Sequence, residues 1–313
     1  RRRHTRYWRD WSSDVCSSDL FDFTVGTNYD EMEDKRKRFC VKSGCPATGS
    51  TGNKVSLSRD EFQTAYNFDQ YAQASFEPID QLLLIAGIRH SRVLMNNKDH
   101  FLSDGNDSSG LVAYTNTSPV LGVTFKVTPK FNLYANFGRG FETPTFAEMT
   151  YSNVNTGSGP NLGMTPSRSK NYEFGAKTFI TDNSRINLAL FKVDTKNEII
   201  AYDYNSGSNI YQYASTADTE RKGIEISLDS RLPYNFNLYG AYTMMDAEFR
   251  NRFIENNSGS SVQITPGLNI PATYKNTGYG ELSWKYPAYG FSAASEVIYF
   301  SDTYAYDNNN VAY

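Results

Sequence analysis

Five short turns recur at nearly equal intervals along the chain, and no other feature limits its fold as strongly. They lie at Glu77-Pro78-Ile79-Asp80, Thr128-Pro129-Lys130, Thr181-Asp182-Asn183-Ser184, Leu232-Pro233-Tyr234 and Tyr286-Pro287-Ala288-Tyr289. Measured from Pro78 through Pro129, Asp182 and Pro233 to Ala288, the successive intervals are 51, 53, 51 and 55 residues. Pro presets φ, and Asn, Asp and Ser bond their own backbone, so each site has a physical reason to reverse the chain. Between them run long polar connections over about 30–62, 98–110, 139–167, 201–220 and 248–271. Short and long connections therefore alternate, as they do in an antiparallel up-and-down sheet with every short turn at one end. The Greek-key connections of a soluble sandwich would mix lengths at both ends.

The segments between turns alternate with period two. Leu121, Val123, Phe125 and Val127 interleave with Gly122, Thr124, Lys126 and Thr128, and Ile224, Ile226 and Leu228 with Glu225, Ser227 and Asp229. Each strand thus has one apolar and one polar face. The runs are about 10–16 residues long, against roughly 5–6 in globular sheets and roughly 9–11 for a tilted bilayer-crossing strand. Aromatic residues, 23 Tyr, 20 Phe and 3 Trp, gather near strand ends, as Tyr234, Phe236, Tyr286, Tyr289 and Phe291 do beside short turns. Amphipathic rings suit the headgroup level of a membrane. Short turns at one end, long loops at the other, alternation and aromatic girdles are the combined signature of outer-membrane barrels. The longest apolar stretch, Leu82 to Ile88 with Gly87 included, has seven residues, far below the roughly 20 of a membrane helix. A net charge of −3 lacks the basic excess of a nucleic-acid binder.

About eleven strands are expected, starting near 21, 64, 80, 111, 131, 169, 184, 208, 235, 273 and 290. The predicted fold is all-β, a partial antiparallel up-and-down transmembrane β-barrel. An odd strand number does not close an ordinary single-chain bacterial barrel, and Tyr313 falls within an expected outer loop, so both ends read as cut and the chain as a fragment. Residues 1–20, RRRHTRYWRDWSSDVCSSDL, show no signal-peptide pattern and no regular period. The stretch WSSDVCSSDL reads as translated sequencing-adaptor scar, which leaves 21–313 as the barrel. Without that segment's five Arg and three Asp, the chain carries 26 basic and 31 acidic residues, a net of −5.

Two long motifs sit on this frame. One is Gly138-Arg139-Gly140-Phe141-Glu142-Thr143-Pro144-Thr145-Phe146-Ala147-Glu148, which follows the strand Asn132–Phe137. The other is Asn161-Leu162-Gly163-Met164-Thr165-Pro166-Ser167-Arg168-Ser169-Lys170-Asn171-Tyr172-Glu173-Phe174-Gly175-Ala176-Lys177. A third stretch is Arg221-Lys222-Gly223-Ile224-Glu225. In this order and spacing, over about 21–313, the chain resembles the barrel of TonB-dependent outer-membrane receptors. The resemblance makes Gly138, Arg139, Gly140, Phe141, Pro144, Asn171, Tyr172, Glu173, Gly175, Arg221, Gly223 and Glu225 its motif residues. It implies a barrel of about 22 strands around an N-terminal plug, of which the sequence carries none. It implies active uptake of a scarce nutrient, a ferric siderophore or ferric citrate more than cobalamin. The inner-membrane TonB complex would supply the energy, through a box ahead of the plug that the sequence also lacks. It places the chain in the outer membrane of a Gram-negative bacterium, in contact with lipid and lipopolysaccharide. A passive porin-like channel or adhesin barrel is the alternative.

The same residues have a physical reading. Gly175 and Gly223 open space for close approach of another backbone or a filling domain. Arg168, Lys170, Glu173, Lys177, Arg221 and Glu225 are expected to form a charged network in the lumen. For capture of an anionic, aromatic chelate the candidates are Arg139, Tyr151, Tyr202, Tyr204, Tyr211 and Arg252. Arg supplies bidentate contacts to carboxylate or catecholate oxygens, and Tyr adds flat apolar area with a polar tip. Cys40 and Cys45 share one outer loop, where an oxidising exterior favours a disulfide. Lys35-Arg36-Lys37-Arg38 follows Glu31, Glu33 and Asp34 and reads as a self-neutralised solvated loop. Its functional version is attraction of lipopolysaccharide or of an anionic chelate. His90 and His100 are isolated, no HExxH, GxSxG or P-loop pattern occurs, and neither enzymatic activity nor a cofactor or metal site is expected.

Overall fold

The computed structural model describes residues 20–40, 56–152, 159–206, 210–257 and 259–312. They form one antiparallel sheet in which sequence neighbours are spatial neighbours. Its strands are β1 (Phe21–Cys40), β2 (Ser56–Ile79), β3 (Leu82–Asp99), β4 (Gly110–Thr128), β5 (Phe131–Glu142), β6 (Ser167–Thr181), β7 (Ser184–Asn205), β8 (Ile210–Leu232), β9 (Phe236–Phe249), β12 (Asn276–Tyr286) and β13 (Phe291–Phe300). The path runs β1 to β9, then β12 and β13, and among the described residues β1 and β13 do not pair, so the sheet is open. Two five-residue strands, β10 (Phe253–Asn257) and β11 (Ser260–Ile264), form a hairpin inside the β9–β12 connection. That hairpin pairs in parallel with the upper end of β7 at Asn256↔Asp203 and Asn257↔Tyr204.

All five short turns lie at one end, as their residues require. At the Leu232 turn the backbone takes a positive φ at Tyr234 and Asn235, and at the Tyr286 turn Gly290 supplies it. The long connections are shorter than the sequence suggests, because the strands continue past the apolar band. β1 keeps pairing to Cys40↔Ser56, and β7 and β8 pair to Asn205↔Ile210. β2 accordingly starts at Ser56 rather than near 64, and strands on the main path reach 24 residues. The physical reason is that these upper segments are polar on both faces, so they carry no alternation to mark them as strand. The expected scar lies outside the described residues apart from Leu20.

Register separates two faces. One carries Ala135, Phe174, Leu190, Ile224 and Met244 side by side across β5 to β9, continuous with Leu121, Val123 and Phe125 on β4. We call it the outer face. The inner face carries Asn132, Tyr134, Asn136, Glu173, Lys177 and Glu225. Arg168 and Lys170 share the outer parity of Tyr172 and Phe174, since successive side chains alternate. They are therefore separated from Glu173, Lys177, Arg221 and Glu225, with which the sequence grouped them. Glu173 accepts a 2.6 Å hydrogen bond from Tyr134, and the Lys177 ammonium sits 5.0 Å from the Tyr134 ring centre.

Buried hydrophobic groups concentrate at the loop end. One cluster joins Met95, Tyr114, Phe146, Met149 and Met164, and a second joins Ala217, Phe249, Phe253 and Ile264.

Candidate ligand-binding site

The loop end is shaped by a parting of strands. β4 and β5 pair only up to Val120↔Gly138, whereas β5 and β6 stay paired to Glu142↔Ser167. Gly140 permits this tight pairing, since a Cβ there would meet the Ser169 hydroxyl. Freed from β4, the tip of the β5–β6 hairpin leans inward. Phe141 consequently packs against the cluster of Met95, Tyr114, Phe146, Met149 and Met164, as Val93 and Val112 of the inner wall also do, and Arg168 donates to Asn116 of β4 at 3.2 Å.

The connection beyond Glu142 then crosses the inner face. Pro144 is fully buried. Thr145 and Glu148 cap one another, the Glu148 carboxylate accepting from the Thr145 amide at 2.7 Å and the Thr145 hydroxyl from the Glu148 amide at 3.3 Å. This reciprocal bonding has the pattern of a capping box and closes the turn that leads into the 3-10 turn Glu148–Thr150. Met149 is wholly buried against Met95 and Tyr114, and the Tyr114 hydroxyl donates to the Met164 carbonyl at 3.0 Å. At the far side Arg36 donates to the Thr150 hydroxyl at 2.8 Å and Arg59 to the Thr150 carbonyl at 3.2 Å. Arg38 donates to the Tyr151 hydroxyl, and the Arg59 guanidinium lies 4.8 Å from the Tyr151 ring centre. Arg59 is also 3.5 Å from the buried Glu61. Burial pushes the Glu61 carboxyl above its ordinary pKa, against the pull of Arg59 and Arg36.

The basic run 35–38 is thus strand rather than solvated loop, and the pleat divides its work. Arg36 and Arg38 point inward to the crossing segment. Lys37 pairs outward with Asp60 at 3.0 Å, and Lys35 lies over Phe62.

The candidate residues separate into three places. Tyr204 and Tyr211 face one another at the β7–β8 tip with ring centres 4.4 Å apart, and Tyr202 stands beside them at a bulge between Ala201 and Asp203. Tyr151 is held at the β1–β2 side. Arg139 lies deeper, on a 790 Å³ inner cavity with Asp69, Tyr71, Arg89 and Ser91, where Arg89 donates to the almost fully buried Asp69. Arg252 is exposed between β9 and β10. Cys45 and the side chain of Cys40 lie outside the described residues, so the proposed disulfide does too. Sequence reasoning missed Arg59 and the buried anchoring role of Met149. Nothing near Arg59 in sequence announces its partner Thr150, 91 residues away, and nothing near Met149 announces Met95 or Tyr114.

A one-directional antiparallel wall, apolar outside and polar inside, with an aromatic and basic loop end folded over the inner face, defines a barrel receptor of the outer-membrane type. The family model described as "TonB dependent receptor-like, beta-barrel" matches residues 1–313, and the chain belongs to that family. Its members are transporters of Gram-negative outer membranes, not enzymes.

The chain is 26% identical over 168 residues to the metal-pseudopaline receptor CntO of Pseudomonas aeruginosa strain UCBPP-PA14, covering 52% of this chain and 22% of that one. Among solved structures it superposes on the siderophore receptor PiuA of Acinetobacter baumannii with a TM-score of 0.75 at 15% identity, covering 96% of this chain and 46% of that one. For the unliganded ferric citrate transporter FecA the TM-score is 0.65 at 17% identity, covering 96% and 42%. The chain thus spans less than half the length of the receptors it resembles.

Proposed function

We propose that this chain, over residues 21–313, is barrel wall of an outer-membrane receptor that imports a ferric chelate, a siderophore or ferric citrate, with energy supplied through the TonB complex. The observation that carries the reading is family membership along the whole chain. The loop end supports it chemically. Tyr202, Tyr204 and Tyr211 offer flat surfaces to an aromatic or carboxylate-rich chelate arriving from outside, and Arg252 adds positive charge beside them. Tyr151 and Arg139 extend the same chemistry inward, toward the cavity that holds Arg89 and Asp69.

Uptake of ⁵⁵Fe-labelled chelates by cells with and without the complete gene, in TonB-competent and TonB-deficient backgrounds, tests the proposal. It expects one chelate to enter only when both gene and TonB are present. Tyr204→Ala with Tyr211→Ala should then raise half-saturation about tenfold, the loss of one stacked contact worth about 1.4 kcal/mol. Uptake that persists without TonB would overturn it in favour of a passive channel.

A further inference from the structure

β5 leaves β4 at a proline. The Lys126 amide donates to the Gln81 carbonyl at 2.7 Å, and from there to Gly110 β4 pairs with β3 without a shift in register. Backbone polar groups alternate sides along a strand. Even-numbered residues of β4 therefore turn theirs toward β3, and odd-numbered residues toward β5. On the other side the Lys130 carbonyl accepts from the Phe179 amide of β6 at 2.8 Å, which leaves the odd-numbered residues of β5 to face β4. The hydrogen-bonded pairs of the β4–β5 ladder are thus Phe125↔Leu133, Val123↔Ala135 and Leu121↔Phe137, and the next in register sets Pro119 opposite Arg139. Each partner in such a pair donates to the other, and Pro119 has no N–H to give. The ladder ends just before it, at Val120↔Gly138. Beyond that point β4 stays paired with β3, and Thr115 and Thr117 are good strand formers. The missing donor, rather than a weak strand, accounts for the parting.

The parting decides where Arg139 goes. By the alternation of the pleat it belongs with Ala135 and Phe137 on the outer face. Instead it lines the 790 Å³ inner cavity with Asp69, Tyr71, Arg89 and Ser91, because the freed tip leans inward and Phe141 is anchored on the cluster around Met95. The charged groups on that cavity are Asp69, Arg89 and Arg139, and Asp69 is bonded to Arg89. Among the described residues Arg139 has no carboxylate within ion-pair distance. It also borders a second cavity, but there Asp194, Asp218 and Glu220 stand beside the cations, so an anion is better received on the inner side. We propose that Pro119 is a positioning residue. By withholding one ladder donor it keeps Arg139 turned into the inner cavity, where the guanidinium contacts the carboxylate or catecholate oxygens of an incoming ferric chelate. The inference rests on the reading that the chain is part of a ferric-chelate importer.

The test uses the protein produced from its complete gene, with heat-modifiable electrophoretic mobility to report folding. Pro119→Val restores the donor, lets the freed edges zip together and returns Arg139 to the outer face. Amide exchange over 111–118 and 139–142 should slow about tenfold in this variant. Half-saturation for uptake is measured with ⁵⁵Fe-citrate and with a ⁵⁵Fe tris-catecholate. Arg139→Gln and Pro119→Val should each raise it about tenfold for the chelate that the wild type imports. The double variant should be no worse than either single one, since both remove the same contact. Pro119→Ala supplies the donor with a weaker strand preference and should move both readouts in the same direction, so a folding failure of the first variant does not remove the test. Unchanged exchange in folded variants overturns the ladder account. Slower exchange with unchanged half-saturation, or additive losses in the double variant, overturns the positioning of Arg139 alone. Wild-type cells that import neither chelate overturn the reading beneath it, and the ligand contact of Arg139 with it, whatever the exchange shows.

Discussion

At the scale of single residues, the inner face is built around missing side chains. A Cβ on Gly175 would lie 2.5 Å from the Leu188 carbonyl and 2.5 Å from the Tyr134 ring, and one on Gly223 would collide with the Met244 carbonyl and lie 2.8 Å from the Phe191 ring. The close approach expected from the sequence is therefore made by the neighbouring strand and by a ring laid across each glycine. Gly175→Ala and Gly223→Ala should each cost about 1–3 kcal/mol, the usual penalty of overpacking. Gly240→Ala, whose nearest foreign atom is 3.9 Å away, should be close to neutral, and urea midpoints of the folded protein would rank the three. Charge sets a second test. Burial, reinforced by the charge of Asp307, pushes Glu255 up to about 7, and burial pushes Asp307 up to about 6. Both values lie above those of the unfolded chain, so between roughly pH 4 and 7 the folded state holds more protons. Stability of this region therefore falls as pH rises through that window. Amide exchange over 253–257 and 301–312, corrected for intrinsic rates, should show less protection at pH 8 than at pH 5. Glu255→Gln with Asp307→Asn should flatten the difference.

At the scale of elements, the sequence marks what the bilayer-level chemistry demands and little above it. The five short turns and the alternating runs that follow Phe131, Ser184 and Phe236 were legible because Pro, Asn and Asp fix the reversals and one buried face fixes the register. Above that level Ser56-Leu57-Ser58-Arg59-Asp60-Glu61 pairs as strand with no alternation to reveal it. The β10–β11 hairpin read as loop for the same reason. The site was half legible. The residue types were plain at Tyr204 and Tyr211, but the position of Tyr151 depends on Arg38 and Arg59, which no local pattern links to it. That crossing segment is a testable unit. Met149→Ala removes a wholly buried side chain and should loosen it by about 2–5 kcal/mol. Arg59→Ala removes the Thr150 and Tyr151 contacts, takes from Glu61 the cation that pairs with it at 3.5 Å, and should cost about 1–3 kcal/mol. Lys37→Ala, whose pair with Asp60 is solvated, should cost under about 1 kcal/mol. Protease cleavage within 146–151 should accelerate tenfold or more in the first two variants and stay unchanged in the third. Equal rates in all three would mean that the segment is not held by these contacts.

At the scale of the whole molecule, the two faces of the sheet suit two different solvents, and adjacent residues on one strand can test for them. On β7, Ile186, Leu188 and Leu190 point outward between the short turn at Asp182 and the first outer charge at Lys192. Leu188 is the middle of the three, opposite Ala176 and Ile226. Its neighbour Asn187 points inward and donates to the Ser227 hydroxyl at 3.0 Å. If the outer face lies in hydrocarbon, Leu188→Lys puts an ammonium near the bilayer midplane and should cost about 2–4 kcal/mol. Asn187→Lys adds the same charge one residue away, in a wet lumen, and loses a single hydrogen bond worth about 1 kcal/mol. Folding titrations in vesicles should therefore separate the two variants by well over a kcal/mol, with Leu188→Lys the less stable. In detergent, whose chains rearrange around a charge, the gap should narrow. A wall exposed to water on both sides predicts no such gap in vesicles, because the ammonium would then be hydrated at either position. The register of β7 with β6 and β8 fixes which side chain faces which solvent. The comparison therefore tests the orientation of the entire sheet through one pair of side chains.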